Sequence, residues 1–148
     1  MTLSAEQPFA QAAAEIVCAR TAAVFRFERR AVLDIGDIEG VHDMRVATRR
    51  LRASLEVFGA AFDRKRGKRA LHGVKVLAEA LGQRRDRDVQ LALLAEQHER
   101  CGGAERRAVE LLAQELRAEQ EQANAELAKA LARARLARLQ RRLERLTR

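Results

Sequence analysis

Apolar residues recur at helical spacing along most of the chain, and the pattern is most regular in its second quarter. There the intervals alternate between three and four residues, which is typical of a helix that buries one face in a bundle. The positions concerned are Met44, Thr48, Leu51, Leu55, Phe58 and Phe62. The pattern predicts a helix from about Ile38 to Ala61. Asp37 can cap its N-terminus, and Glu39 adds a negative charge to the first turn, where the helix dipole favours it.

Gly and Asp residues mark the expected ends of two further helices. A first helix is predicted from about Ser4 to Leu33, because Ser4 and Gln7 have the spacing of a capping box. A third helix is predicted from about Arg64 to Leu81, capped by Asp63 and ended by Gly82. Its inward positions are expected to be Leu71, Val74, Ala78 and Leu81.

The remaining sequence predicts a fourth helix and a long fifth one. Asp86 can cap the fourth, which ends at Gly102 and Gly103 and has one face formed by Val89, Leu93 and Glu96. Residues 104–148 contain neither Gly nor Pro, and a continuous helix of that length measures roughly 65 Å, whereas a four-helix core spans roughly 30 Å. The apolar face of its C-terminal half would then extend beyond the bundle and need another surface to bury it. That face is formed by Leu136, Leu139, Leu143 and Leu146. A second copy of the chain is the simplest cover, so we expect a homodimer, with a frayed basic tail as the alternative.

Composition favours an all-α fold. The 148 residues suffice for one compact domain, and 47% of them are hydrophobic. Ala, Leu, Arg, Glu and Gln dominate, and all five are strong helix formers. Trp and Tyr are absent, and Pro8 is the only proline. We therefore expect an antiparallel bundle of about four helices in residues 1–128, with residues 129–148 as a basic extension of a long C-terminal helix.

Positive charge is concentrated in two zones. The net charge is +8; residues 45–87 carry 13 Lys or Arg against 4 acidic residues, and residues 129–148 carry 8 against 1. Residues 88–128, which separate the two zones, carry 4 basic and 9 acidic residues. Clustered cations indicate an anionic partner, and a solvated basic surface is the alternative.

Membrane and secreted proteins are not indicated. No stretch of about 18 apolar residues is present to cross a membrane, and the sequence does not open on a basic and apolar leader. Cys18 and Cys101 lie far apart without metal-binding spacing, which favours two buried thiols, with a disulfide as the alternative. We expect a cytoplasmic protein that has no membrane partner.

Four cationic side chains form a row beside the apolar face of the second helix. His42, Arg45, Arg49 and Arg52, called the basic stripe below, follow intervals of three, four and three residues. At about 100° per residue they share one side of the helix. A row in that place flanks the groove between two helices, where arginine stems pack and guanidinium groups are partly fixed. Arg50 lies off the stripe and could serve a neighbouring groove or solvent.

A row of this kind suits a linear phosphate polymer. Its members rise by roughly 5 Å per turn, each guanidinium group can grip two phosphate oxygens, and His42 can donate hydrogen bonds to phosphate. Lys75 on the third helix, with Arg84 and Arg85 beside Gly82, could form the opposite wall of the groove. Ordinary surface charge is an equal alternative for Lys75 and Arg84.

The sequence does not support catalysis, a metal ion or a cofactor. Gly67-Lys68 is not a phosphate loop, because Phe62 stands where that loop needs Gly and Arg69 where it needs Ser or Thr. His72 and His98 are isolated, and no Ser or Cys lies beside a base. We expect a protein that is not an enzyme.

Two runs of residues resemble the motifs of a known family. Residues 41–52, VHDMRVATRRLR, are similar to the signature helix of the CHAD domain, the conserved-histidine α-helical domain. Residues 75–77, KVL, and 81–89, LGQRRDRDV, resemble its second motif. The resemblance implies helical bundles whose basic surface binds inorganic polyphosphate, in association with polyphosphate granules. It assigns binding to His42, Arg45, Arg49, Arg50, Arg52, Lys75 and Arg85.

A typical member of that family is about twice as long and has two bundle halves, each with its own basic helix. This chain has a single copy of the motif, so a homodimer could rebuild the two-half arrangement.

The sequence therefore predicts a protein that binds inorganic polyphosphate or a similar polyanion through a basic helix face, for granule association or scaffolding. The candidate residues are His42, Arg45, Arg49, Arg50, Arg52, Lys75, Arg84 and Arg85. The runner-up is a nucleic-acid-binding or architectural protein that follows a DNA backbone by charge alone, although the absence of Trp and Tyr counts against base stacking. A third alternative is an interaction protein that pairs through its long helix.

Overall fold

The computed structural model describes residues 6–148, which fold into six α-helices joined by short turns. No strand occurs in this part of the chain, so the all-α prediction is confirmed. The elements are α1 (Phe9–Phe25), α2 (Arg29–Val32), α3 (Ile38–Val57), a 3₁₀ turn (Gly59–Ala61), α4 (Arg64–Arg100), α5 (Gly103–Ala130) and α6 (Arg133–Leu146). Ser4, the N-cap predicted for the first helix, lies outside the described residues.

Four of the helices close a bundle around one hydrophobic core. α1 packs against α3, α3 against α4, α4 against α6, and α6 against α1. Each contributes buried side chains, among them Val17 of α1, Leu51 of α3, Val74 of α4 and Leu143 of α6. The short connection between α3 and α4 makes them antiparallel neighbours. The predicted antiparallel bundle is therefore present, but its fourth member is α6 and not a helix that begins at Asp86.

α4 is one continuous helix of 37 residues, so the predicted division into a third and a fourth helix is wrong. Gly82 lies in its interior, and Asp86 is an exposed residue in mid-helix. A glycine inside a helix costs roughly 1 kcal/mol relative to alanine, and the burial of Leu77 and Leu81 beside it outweighs that cost. α4 and α5 form a long hairpin, and Gly103 at its turn adopts a left-handed φ of +56° that glycine tolerates.

Residues 104–148 lie in two helices, so the single helix predicted for them is wrong. α5 ends at Ala130, Leu131 is buried, and α6 begins at Arg133 as a separate helix. The break gives up a few backbone hydrogen bonds, but it lets a leucine face pack against α1 and α4, and that burial is the larger gain. Of the four leucines for which a second copy was the expected cover, Leu139, Leu143 and Leu146 lie in the core and Leu136 packs against it. The core thus includes residues on both sides of the predicted boundary at residue 128.

Gly73 allows α6 to lie close against α4. A Cβ atom built on Gly73 would be 2.7 Å from Cδ1 of Leu139, which is closer than real Cβ contacts come. Because glycine leaves that space open, Leu139 reaches the core and the ring of four helices closes.

The predicted caps of α3 and α4 are confirmed. Asp37 accepts hydrogen bonds from the backbone N–H groups of Glu39 and Gly40 at 3.1 and 3.4 Å. Asp63 accepts one from the backbone N–H of Arg66 at 2.8 Å. These caps fix where the two helices that border the basic stripe begin.

The first helix is shorter than predicted. α1 ends at Phe25, and the chain turns before the short α2, which lets both Val24 and Val32 enter the core. Both cysteines are free thiols; Cys101 is buried, but Cys18 is exposed, so the expectation of two buried thiols is wrong for Cys18.

Candidate functional site

The basic stripe lies on the flank of α3 that faces α4. The buried face of α3 includes Met44, and the four stripe residues lie about 80° to 160° around the helix from it. His42 and Arg45 are half-buried, whereas Arg49 and Arg52 are exposed. The structure thus places the stripe beside the core and at the edge of the groove between α3 and α4, which is where the spacing predicts it.

One carboxylate ties the two walls of this groove together. Glu56 follows Arg52 by four residues on the same flank of α3. Its Oε1 accepts a hydrogen bond from Nε of Arg52 at 3.1 Å and lies 3.4 Å from Nζ of Lys75 on α4. The hydrogen bond from Arg52 is the main reason why the pKa of Glu56 lies below its usual value, and Lys75 acts in the same direction. Glu56 is therefore ionised at neutral pH and holds both cations.

Sequence reasoning missed Glu56, although a signal was present. Glu56 continues the intervals of the basic stripe by one more step of four residues. A glutamate at that spacing from Arg52 is the expected geometry of an ion pair along a helix.

Arg85 lies about 80° around α4 from Lys75, nearer the core, at the other end of the groove. It is ten residues beyond Lys75, and in an antiparallel pair this corresponds to ten residues back along α3 from Arg52, which is the level of His42. Arg85 is half-buried, and its buried Nη1 has no hydrogen-bond partner within residues 6–148. The groove therefore has a row of cations along its α3 wall, over roughly 15 Å, and Lys75 and Arg85 on its α4 wall, where Glu79 and Asp86 also lie.

Arg84 does not belong to this groove. Its side chain is completely buried and bonds to Asp88, whose other carboxylate oxygen accepts a hydrogen bond of 2.6 Å from Gln120 of α5. The predicted position of Arg84 on an open wall is therefore wrong, because α4 continues through Gly82 and directs Arg84 into the interior. The bond between Arg84 and Asp88 lies within α4, and the hydrogen bond from Gln120 to Asp88 joins α4 to α5.

Arg50 also lies apart from the stripe. It lines a small cavity between α1 and α3 with Arg20, Arg26 and Asp43. Of the eight predicted site residues, the structure brings His42, Arg45, Arg49, Arg52, Lys75 and Arg85 to one groove and places Arg50 and Arg84 elsewhere.

The described residues contain no cluster of metal-ligating side chains, and neither of the two remaining histidines lies in the groove. No group of three or more His, Cys, Asp or Glu side chains within residues 6–148 could hold a metal ion. His72 is exposed, and Nε2 of His98 lies 2.9 Å from Glu110 on the α4–α5 hairpin. None of the helices described has the length and apolar character needed to cross a membrane.

The sequence matches the profile of the CHAD domain over residues 15–148. The match extends beyond the two motifs in both directions and includes the returning helix α6. No curated protein and no solved structure matches the sequence. Because the profile covers nearly the whole chain, the protein belongs to the CHAD domain family.

Proposed function

We propose that this protein binds inorganic polyphosphate, or a polyanion like it, along the groove between α3 and α4, and that it does so without cleaving the polymer. The observation that carries the proposal is the pair of contacts at Glu56, where Arg52 and Lys75 reach one carboxylate from opposite walls. An anionic group at that point is within reach of cations from two helices. A phosphate group on a flexible chain could take the same place.

The shape of the groove favours a thin polymer with a charge at every unit. Cations recur along one wall at about one helical turn, roughly 5 Å, and guanidinium forks bind phosphate oxygens in pairs. The chain has neither Trp nor Tyr, which counts against recognition of single-stranded nucleic acid by base stacking. Duplex DNA remains the runner-up because phosphate contacts alone support nonspecific DNA binding.

Competition binding tests this proposal. Labelled long-chain polyphosphate is titrated against the protein at about physiological salt, with unlabelled duplex DNA as competitor at equal phosphate concentration. We expect polyphosphate to win, and we expect Arg45→Gln/Arg49→Gln/Arg52→Gln to weaken its binding at least about tenfold, given charge-assisted hydrogen bonds from three side chains.

Arg100→Gln/Arg107→Gln/Arg117→Gln is the matched control. It removes the same three charges from exposed positions on the α4–α5 hairpin. An equal loss in both triple variants would mean that net charge alone binds the polymer. Stronger competition by DNA would favour the nucleic-acid alternative, and release of orthophosphate from polyphosphate by the pure protein would contradict the non-enzymatic part of the proposal.

We further propose that two copies pair through the outer part of the α4–α5 hairpin. The support is a set of exposed apolar side chains there, between 43% and 63% accessible: Val89, Leu93, Leu111 and Leu112. α4 has no fully buried residue beyond Asp88, and a second copy would cover these side chains. A pair would also restore the two bundle halves of a typical family member.

Light scattering at micromolar concentration tests the pairing. We expect twice the chain mass of 16.6 kDa for the wild type and a monomer for Leu93→Ser/Leu111→Ser. A monomeric wild type would contradict the dimer without affecting the groove.

Association with polyphosphate granules in the cytoplasm is the cellular form of the same proposal. A fluorescent fusion of the wild type should collect on granules, and the Arg45→Gln/Arg49→Gln/Arg52→Gln fusion should remain diffuse. Equal granule labelling by both fusions would mean that the groove does not direct the association.

A further inference from the structure

A second group of arginines lies on the opposite flank of α4. Arg66 and Arg69 of α4 and Arg142, Arg145 and Arg148 at the end of the chain line an open cavity of about 610 Å³, called the arginine pocket below. Arg69 is six residues from Lys75, which is about 120° around the helix. The pocket therefore lies between α4 and α6, whereas Lys75 faces α3, and the two basic surfaces are separate.

Within residues 6–148, no carboxylate forms an ion pair with a side chain of the arginine pocket, although Asp63 caps the backbone of α4 beside Arg66. Other arginines of this chain, such as Arg52 and Arg87, form ion pairs, but none of the five pocket arginines does. Glu144, the one acidic residue after position 128, accepts a hydrogen bond from Gln140 at 3.0 Å. Although it directly precedes Arg145 in sequence, it forms no ion pair with a pocket arginine. The pocket thus gathers five guanidinium groups, none of which forms an ion pair within the described residues.

The position of Arg66 and Arg69 is unfavourable for the stability of α4. Both lie in its first two turns, where the helix dipole is already positive and cations are disfavoured. α3 and α5 each have a glutamate in the first turn, whereas the only carboxylate at the start of α4 is that of its N-cap, Asp63. The same dipole attracts anions. Two arginines at this end, facing two from α6 and Arg148 beyond the end of α6, create a strong local field for an external anion.

We propose that the arginine pocket is a second binding site, for a ligand with two or more linked phosphate groups. Each guanidinium group has five N–H donors in a fixed fork and can hold two phosphate oxygens. Five such groups offer more donors than one phosphate can accept, so a single orthophosphate leaves most of the cluster unpaired. The arginine pocket shares no residue with the groove between α3 and α4. The proposal for the pocket therefore holds whether or not the groove binds polyphosphate.

Calorimetric titration with tripolyphosphate tests the second site. The starting protein is Arg45→Gln/Arg49→Gln/Arg52→Gln, which lacks the arginines of the basic stripe. We expect it to retain one tripolyphosphate per chain at about physiological salt. Adding Arg69→Gln and Arg145→Gln, one substitution on each wall of the pocket, should weaken that binding at least about tenfold.

The control adds Arg107→Gln and Arg117→Gln to the same starting protein and should change the affinity by less than about threefold. Equal losses from the pocket pair and the control pair would overturn the proposal in favour of diffuse charge. Absence of stoichiometric binding in the starting protein would overturn it as well. If the stripe substitutions leave long-chain binding of the otherwise wild-type protein unchanged, the function proposed for the groove fails and the pocket does not.

Discussion

Arg66 and Arg84 lie on the same side of α4, eighteen residues or about five turns apart, yet their surroundings differ. Arg84 is buried and bonds to Asp88, whereas Arg66 is exposed and lines a pocket of arginines. Arg69 and Arg87 repeat the comparison, since Arg87 pairs with Glu119 of α5 at 3.1 Å and Arg69 lies in the pocket.

The residue type and the helix face are the same in both regions, but the surrounding side chains differ, since Arg84 has Asp88 four residues further along α4 and Arg66 has Ala70 at that spacing. Along the middle of α4, Glu119 of α5 pairs with Arg87, and Gln120 of α5 donates a hydrogen bond to Asp88, the α4 residue that holds Arg84. Along the first turns, α6 supplies further arginines. The role of an arginine on α4 therefore depends on the side chains around it, from α4 itself and from the helix that packs beside it, and each region can be tested by changing those side chains.

The largest effect is expected from removing the partner of Arg84. Asp88→Ala leaves a completely buried guanidinium group without its carboxylate and Gln120 without its acceptor. Breaking a buried ion pair on one side costs about 3–5 kcal/mol, so we expect that loss in the free energy of unfolding, measured by urea titration.

Asp86→Ala is the matched control, because Asp86 is an exposed aspartate two residues earlier on the same helix. It should change stability by less than about 0.5 kcal/mol. Replacing Arg84, Asp88 and Gln120 together by apolar residues of similar volume should recover most of the loss. A small effect of Asp88→Ala would mean that Arg84 is not held by this network.

Local signals account for what the sequence did predict. The alternating intervals and the Asp37 cap define α3, and four cations at helical spacing define the stripe. The same reasoning failed on α4, because Gly82 and Asp86 are strong local signals for a helix end that the packing of the core overrides. The partner of Asp88 on α5 is 32 residues away, and no short-range pattern indicates it.

The return of α6 could not be predicted for a related reason. Residues 131 and 132 contain neither Gly nor Pro, so no local signal marks the break. The leucine face did indicate that a cover is needed, but periodicity does not say whether the cover comes from the same chain. The arginine pocket exists only because α6 packs against α4, so the sequence alone does not indicate it.

The next effect concerns the contact between Gly73 of α4 and Leu139 of α6, which lets α6 lie close to the first turns of α4. Gly73→Ala places a methyl group within 2.7 Å of the present position of Cδ1 of Leu139, and overpacking of this kind costs about 1–3 kcal/mol. Gly82→Ala is the control, because its Cβ would meet nothing within 4 Å and should stabilise the helix by roughly 0.5–1 kcal/mol. Thermal unfolding of both variants gives opposite signs if Gly73 is needed for the close approach. Stabilisation by both would contradict that role.

A smaller effect concerns α3, the third helix that packs against α4. Its Glu56 forms an ion pair with Lys75 of α4. Because the pKa of Glu56 is lowered by Arg52 and Lys75, its ion pairs are present at neutral pH and are lost as the pH falls through that lowered pKa. Glu56→Gln should free both cations and tighten polyphosphate binding about two- to threefold at neutral pH, as suits exposed ion pairs. Affinity of the wild type should rise towards that of the variant in acid.

Glu115→Gln removes the same charge from an exposed position of α5 and so controls for net charge in this experiment. If it tightens binding as much as Glu56→Gln, the effect is a general one of the protein's field. The groove would then not be distinguished from the rest of the surface.

The smallest expected effect is on the free energy of unfolding when arginines are neutralised in the first turns or in the middle of α4. Its sign should be opposite in the two regions, which tests their comparison most directly. In phosphate-free buffer of low ionic strength, Arg69→Gln/Arg145→Gln should raise the free energy of unfolding by a few tenths of a kcal/mol, because it relieves repulsion and removes a cation from the N-terminal turns of α4. Arg87→Gln should lower it by at most about 1 kcal/mol, because it removes an exposed ion pair with Glu119. Adding tripolyphosphate should stabilise the wild type by mass action more than the pocket variant and so reverse their order. If the pocket variant is less stable than the wild type without phosphate, the five arginines stabilise the fold by some other contact, and the two regions of α4 do not differ in the way proposed.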